Sequence, residues 1–252
     1  MNRRTLVGLL LLWSLGPLLW QVYTSFCSDQ ALIQPFVSHD QRWTLIHYQS
    51  VLNANPPFWR YLVNSLIVGI SSTFLCLLLA LPAAYALNRI PRQLSALSRL
   101  ALVGAALFPY VLLFLALLEL ARALNLGNQL LALSLPYAAL SQPLAILLLN
   151  NAFNDLPPEL EDAAKLEGLS LFQRFRCIFI PLISPATAST AILVFLFSWN
   201  EYPIALTWIS DSNKLTLPVA MARILGSKMI LSAVMSKVIF FCIPNLFLIP
   251  VK

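Results

Sequence analysis

The chain has 252 residues, of which 59% are hydrophobic and only 10% charged, with a formal net charge of +6. A soluble domain carries about 25% charged residues, so this composition cannot cover a water-facing surface, and disorder is excluded because disordered chains are poor in apolar side chains. What remains is an all-α polytopic membrane protein.

Long uncharged runs separated by charge give six expected membrane helices, at about 5–26, 61–88, 100–118, 130–153, 182–208 and 229–251. Crossing takes roughly 20 apolar residues whose backbone bonds close within the segment. The runs are continuous Leu, Ala and Ile blocks, which favours helices over the alternating strands of a barrel. Before the first run stand Arg3 and Arg4, while the nearest positive residue beyond it is Arg42, so the N-terminus is expected to be cytoplasmic. Its length exceeds that of a signal-peptide core, and an uncleaved helix is expected. His39 and His47 follow in a polar loop and read as solvated residues, since no third ligand stands near.

In the second run, Asn64 and Ser65 read first as interhelical hydrogen-bonding groups and second as solute contacts. Pro82 and Pro109 read as kinks in the second and third. The fifth uncharged run extends over 177–200, with Pro181 and Pro185 suited to a helix start. Trp199, Asn200, Glu201 and Tyr202 near its far end admit two readings. They suit sugar hydroxyls and a sugar face, yet an interfacial aromatic belt with a hydrated carboxylate is favoured. Lys237 interrupts the sixth run but can snorkel to the interface. An even number of spans returns the C-terminus to the cytoplasm. That threading places nine Lys and Arg inside and six outside, so the positive charge reads as membrane orientation rather than nucleic-acid binding. Cys27, Cys76, Cys177 and Cys242 show no paired spacing and read as small apolar fillers. None of the seven glycines forms a nucleotide-cradling Gly-x-x-x-x-Gly-Lys loop, so the chain is not expected to hydrolyse ATP or to be an enzyme.

The cytoplasmic stretch 154–181 holds five of the ten acids. Asp155 is expected to cap a short helix, Pro157 and Pro158 to occupy its first positions, and Glu159, Glu161 and Asp162 to favour its positive end. Gly168 is expected to stop it, and Ser170 with Gln173 matches a capping box for a second helix. The result is a polar elbow of two short helices. Ala163 and Ala164 leave a low spot for a partner, with Leu160, Leu166, Phe172 and Phe175 as apolar contacts. Its excess of acid favours a protein partner over anionic lipid.

At these residues the sequence resembles the transmembrane subunits of bacterial ABC importers. Their coupling loop reads Glu-Ala-Ala, three residues, Gly, nine residues, then Ile-x-Leu-Pro. Here Asp162-Ala163-Ala164 precedes Gly168 by the same three, and nine residues separate Gly168 from Ile178-Phe179-Ile180-Pro181, with Asp162 for Glu and Ile180 for Leu. Further likeness to maltose-transporter-type sugar permeases lies in Asn64-Ser65-Leu66-Ile67-Val68, in the run from Ala83 to Arg89, and in Trp199-Asn200-Glu201-Tyr202. The resemblance implies a type I ABC importer permease fold in the bacterial inner membrane. It implies a core of two different permeases and two ATPase subunits fed by an external solute-binding protein, with ATP and Mg used by the ATPase and no cofactor on this chain. Glu161, Asp162, Ala163, Ala164, Gly168, Ile178 and Pro181 would then couple to the ATPase. A secondary carrier or channel, or a membrane scaffold without transport, stays open as an alternative.

Overall fold

The structure is a computed structural model that describes residues 3–28 and 43–227. The expected sixth span at 229–251 lies outside the described residues, as does His39. The chain divides into two units, residues 1–59 with 220–252, and residues 60–219.

In the first unit, α1 is Arg3–Ser25 and α2 is Ile46–Leu52. The end of α1 is tied off by side chains. Thr24 Oγ1 donates to the Trp20 carbonyl at 3.0 Å, and Ser25 Oγ lies 2.7 Å from Tyr48 Oη. An isolated bridge joins Cys27 to Trp43, and the Tyr23 and Trp43 rings meet edge to face with centroids 5.4 Å apart. His47, expected to be solvated, is buried on α2, with Nε2 3.2 Å from the Cys27 carbonyl oxygen. The partner that holds the ring lies 20 positions away at the end of α1, so the spacing of the sequence around His47 does not show it.

The second unit is a helical core with an elbow at one end. Its elements are α3 (Phe58–Arg89), α4 (Arg92–Leu107), α5 (Phe114–Ala123), α6 (Ser134–Asn154), α7 (Pro158–Leu166), α8 (Leu171–Leu182), α9 (Ser184–Asn200) and α10 (Pro203–Trp208), with α11 (Leu217–Ser227) counted in it as far as Val219. Phe58–Arg89, and α6 with the 3-10 turn before it (Leu131–Asn154), are each long and apolar enough to cross a membrane. At 1.5 Å per residue α3 is about 48 Å long against a hydrocarbon core of about 30 Å, so it extends past the apolar layer at its ends.

Small side chains let the helices approach. Cys76, Ala80 and Ala84, four apart on one stripe of α3, meet Ala138, Ala145, Leu149 and Phe153 of α6, with Val194 of α9 in the same buried cluster. Gln142 Nε2 donates to the Cys76 carbonyl at 3.1 Å, and Asn150 Nδ2 to that of Ala84 at 3.1 Å. Gly69 faces Phe195 so closely that an added Cβ would stand 2.7 Å from Cε2 of the ring.

Two expected spans are not single helices. The third breaks at Phe108 and Pro109, where Phe108 is extended as a residue before proline prefers, and α4 meets the following helical segment at 80°. Pro82, by contrast, stays within an unbroken α3. The fifth starts at Ser184, meets α8 at 81°, and breaks after Asn200. Pro203 has no N–H for the Trp199 carbonyl, so the chain turns and restarts as α10. Cys76 is a buried filler, whereas Cys177 is exposed on α8.

Candidate functional site

The elbow is built by three local signals. Pro157 stands at the N-cap of α7 and Pro158 at its first position, where a missing N–H costs little. Asp155 does not cap α7. It closes α6 instead, its backbone N–H bonding back to the Asn151 carbonyl at 3.2 Å, because the two prolines push the helix start beyond its reach. At the other end of α7, Gly168 adopts φ +74° and donates to the Lys165 carbonyl, while Leu169 donates to Ala164, both at 3.0 Å. These two bonds are the Schellman closure, which needs the left-handed backbone that glycine adopts without strain. Ser170 then opens α8 with a complete capping box, its hydroxyl accepting from Gln173 N–H and the Gln173 side chain accepting from Ser170 N–H. Within α8 the turn Phe175–Phe179 is π-helical. Pro181 follows, unable to bond the Cys177 carbonyl and crowding it, which accounts for the wider turn just upstream.

One carboxylate holds this elbow to the core. Glu161 is 6% exposed, whereas the other charged residues of α7, Glu159, Asp162 and Lys165, are exposed. Its Oε1 accepts from Tyr85 Oη at 2.8 Å and from Arg174 Nη1 at 3.2 Å, and lies 3.3 Å from Lys165 Nζ. Arg89 is ion-paired with Oε2. Three cations and a phenol, from α3, α7 and α8, thus converge on one buried side chain. The Arg89 guanidinium also lies over the Tyr85 ring, 5.0 Å from its centroid. Beneath it, Tyr85 packs against Phe153, Phe175 and Phe179 at centroid distances of 5.7, 4.9 and 5.4 Å. Asn88 donates to Asn154, and Arg99 reaches the same oxygen at 3.4 Å, so α3, α4 and α6 are tied beside the elbow.

The other expected elbow residues divide by the face they occupy. Ala164 is buried and Ile178 half-buried against the aromatic cluster, while Asp162, Ala163 and Pro181 are exposed. Leu166 is 90% and Phe172 72% exposed, leaving bulky apolar side chains uncovered on the elbow. Phe175 does not join them, being packed inward. Sequence reasoning missed Tyr85, Arg89 and Arg174 as partners of Glu161, because nothing in their spacing along the chain marks a contact 76, 72 or 13 positions away.

At the opposite end of α3 the candidate solute residues are engaged with their own chain. Asn64 Nδ2 donates to the carbonyls of Asn213 and Leu215 at 3.0 and 2.9 Å, and Ser65 Oγ accepts from Leu217 N–H at 2.8 Å. They anchor the segment after α10. Glu201, expected to sit in water, is 4% exposed. It accepts from Tyr137 Oη at 2.5 Å and from the N–H groups of Ile204 and Ala205 at 2.9 and 3.1 Å, so its side chain satisfies free N–H groups in the first turn of α10 from one residue before the N-cap, Tyr202. Trp199 stacks on Phe195, Asn200 bonds the carbonyl of Leu196, and Tyr202 is exposed. A cavity of about 370 Å³ lies between α4, α6 and α9, lined by Phe108, Tyr110, Leu140, Ser141, Thr190 and Phe197 among others, and none of the expected solute residues reaches it.

A bundle of apolar helices with an ordered polar elbow, held by ion pairs to the end of one of them, defines the class: a polytopic helical membrane protein. Comparison with known proteins gives the same class a family: the chain belongs to the binding-protein-dependent transport system inner membrane components, whose sequence profile matches residues 76–249. It is therefore a multi-pass permease component of an inner-membrane importer. The chain is 34% identical over 213 residues to the sulfoquinovosyl glycerol transport system permease protein SmoH of Agrobacterium fabrum, covering 84% of this chain and 74% of that one. It is likewise 34% identical over 224 residues to the trehalose transport system permease protein SugB of Mycobacterium tuberculosis, covering 85% and 78%. Among solved structures it is similar to a chain of a bacterial ABC transporter that imports the acidic polysaccharide alginate, with TM-score 0.78, 22% identity, and coverage of 97% of this chain and 91% of that chain. A chain of the MetNI methionine ABC transporter matches with TM-score 0.55, 16% identity, and coverage of 84% and 94%. These two likenesses give the fold, a type I importer permease.

Proposed function

We propose that this chain is one of two different permeases in an ATP-driven importer, and that α7 and α8 seat in an ATPase subunit that drives it. Both termini and the elbow face the cytoplasm, six helices cross the membrane, and an external binding protein delivers solute to a path between the two permeases. ATP and Mg are used by the ATPase subunits. Closure of the ATPase pair favours one of two packed arrangements of the spans, and the elbow carries that preference into the membrane. The observation that carries this reading is the elbow itself, closed by a Schellman turn, started by a capping box and ionically tied to α3, with Leu166 and Phe172 exposed for a partner.

The solute is a sugar, oligosaccharide, polyol or glycoside. The support is the substrate named for relatives such as SmoH and SugB. Purification from mild detergent tests the assembly. A stoichiometric nucleotide-binding subunit is expected with the chain, and its absence would leave a carrier or scaffold. Uptake of radiolabelled trehalose, maltose and sulfoquinovosyl glycerol by cells with and without the chain tests the solute class.

A further inference from the structure

Of the five acids in the elbow, Glu161 alone turns its back on any docking partner. Glu159 and Asp162 are exposed on α7 and Glu167 just after it, and the side chain of Asp162 is 71% exposed and ion-paired with Lys165. Glu161 is buried and faces Tyr85 and Arg89 at the end of α3, Arg174 on α8, and Lys165 on its own helix. α7 and α8 have little else to hold them to α3. On α7 the only other buried side chain is Ala164, and α8 reaches the core through Phe175, Ile178 and Phe179. A load applied to the exposed side of the elbow must therefore pass to α3 through this carboxylate or through the aromatic cluster beneath it.

Apolar ring contacts are short-ranged and tolerate sliding, whereas a carboxylate held by a phenol and three cations from separate elements has one low-energy position. Because the side chains of Glu161 and Arg174 are 7% and 13% exposed, parting them would leave a buried charge without its partner, so the joined arrangement is favoured over a parted one. That is the property a rigid joint needs.

We propose that Glu161 is a positioning residue that latches the elbow to the cytoplasmic end of α3, so that the two move as one body when the ATPase closes. This rests on the elbow being the ATPase-docking element, and it assigns Glu161 to the transmission of movement rather than to docking.

The test uses the whole transporter, with a spin-label pair at the native Cys177 on α8 of the elbow and Ala86→Cys on α3 in a chain otherwise free of cysteine. Both positions are exposed. Distances are measured without nucleotide and with MgATP plus orthovanadate. With Glu161 intact, the distribution stays narrow and unshifted between the two states. In Glu161→Gln the ATPase still co-purifies at full stoichiometry, but the distribution about doubles in width and shifts on addition of MgATP and vanadate, as for a locally released segment. Glu161→Asp recovers part of the narrow distribution, and Glu159→Gln, which removes the same charge from the exposed face, leaves it unchanged. Should Glu161→Gln fail to accumulate, the variant Glu161→Gln, Arg89→Gln, Arg174→Gln carries the test, because it leaves no unpaired charge from that cluster, and the same broadening is expected. An unchanged distribution in the neutral variants overturns the latch. Loss of the ATPase from them, with the wild type still binding it, also overturns it and makes Glu161 a docking residue. Failure of the wild type to hold an ATPase refutes the docking reading instead.

Discussion

Gly168→Val isolates the bend of the elbow from its contacts. Nothing lies within 4 Å of a Cβ added at Gly168, so the substitution meets no steric obstacle, and its whole cost comes from φ +74°. A β-branched residue held in that region costs about 1–2 kcal/mol. The two bonds of the Schellman closure, Gly168 to Lys165 and Leu169 to Ala164, depend on that backbone. A penalty of this size lowers the ratio of bent to unbent elbows by roughly 5–30-fold, yet it is local and leaves the buried helices of the core intact. Solute taken up per ATP hydrolysed should fall with the bent fraction in reconstituted vesicles, while membrane insertion and the amount of chain recovered stay at the native level. Gly168→Asn should lose far less, because asparagine tolerates the left-handed region. Native coupling in the Val variant would refute the reasoning. So would an Asn variant as impaired as Val, since that would implicate the loss of open space rather than the backbone.

Three further outcomes follow from single contacts. Ser170→Ala removes one half of the capping box and should cost about 0.5–2 kcal/mol at the start of α8, read as faster hydrogen exchange of the Leu171 to Arg174 amides. Tyr137→Phe leaves the buried Glu201 carboxylate without its phenol donor and should lower detergent stability by about 1–3 kcal/mol, measured as the midpoint of thermal unfolding; an unchanged midpoint would mean the bond contributes nothing. Gly69→Ala places a methyl group 2.7 Å from Phe195 Cε2 and should destabilise by about 1–3 kcal/mol, with Phe195→Leu restoring most of the loss.

What the sequence made legible is what is decided within a few residues. The Gly168 stop and the Ser170–Gln173 box are local hydrogen-bonding problems with few solutions, and both stand in the structure as the spacing implies. The uncharged runs at 61–88 and 130–153 became continuous helices for the same reason. Features set by distant partners were not legible. Glu201 looked like an interfacial carboxylate because its phenol, Tyr137, is 64 positions away, and Glu161 looked like one more acid on a docking face because Tyr85 is 76 positions away. His47 appeared solvated until the end of α1 was folded against it. The break at Pro109 was expected as a kink and the one at Pro203 was not, while Pro82, expected to kink, lies in an unbroken helix, so proline alone does not say which runs divide.

The central claim is that the exposed side of the elbow seats in an ATPase on the cytoplasmic face. A single cysteine at Leu166→Cys, the most exposed apolar side chain of the elbow, tests it in intact membranes. The predicted result is a photo-cross-link to the nucleotide-binding subunit from a benzophenone-maleimide attached at that cysteine, together with resistance of the free thiol to a membrane-impermeant maleimide applied from outside. Labelling of that cysteine from the external side, with no cross-linked partner, would contradict the account.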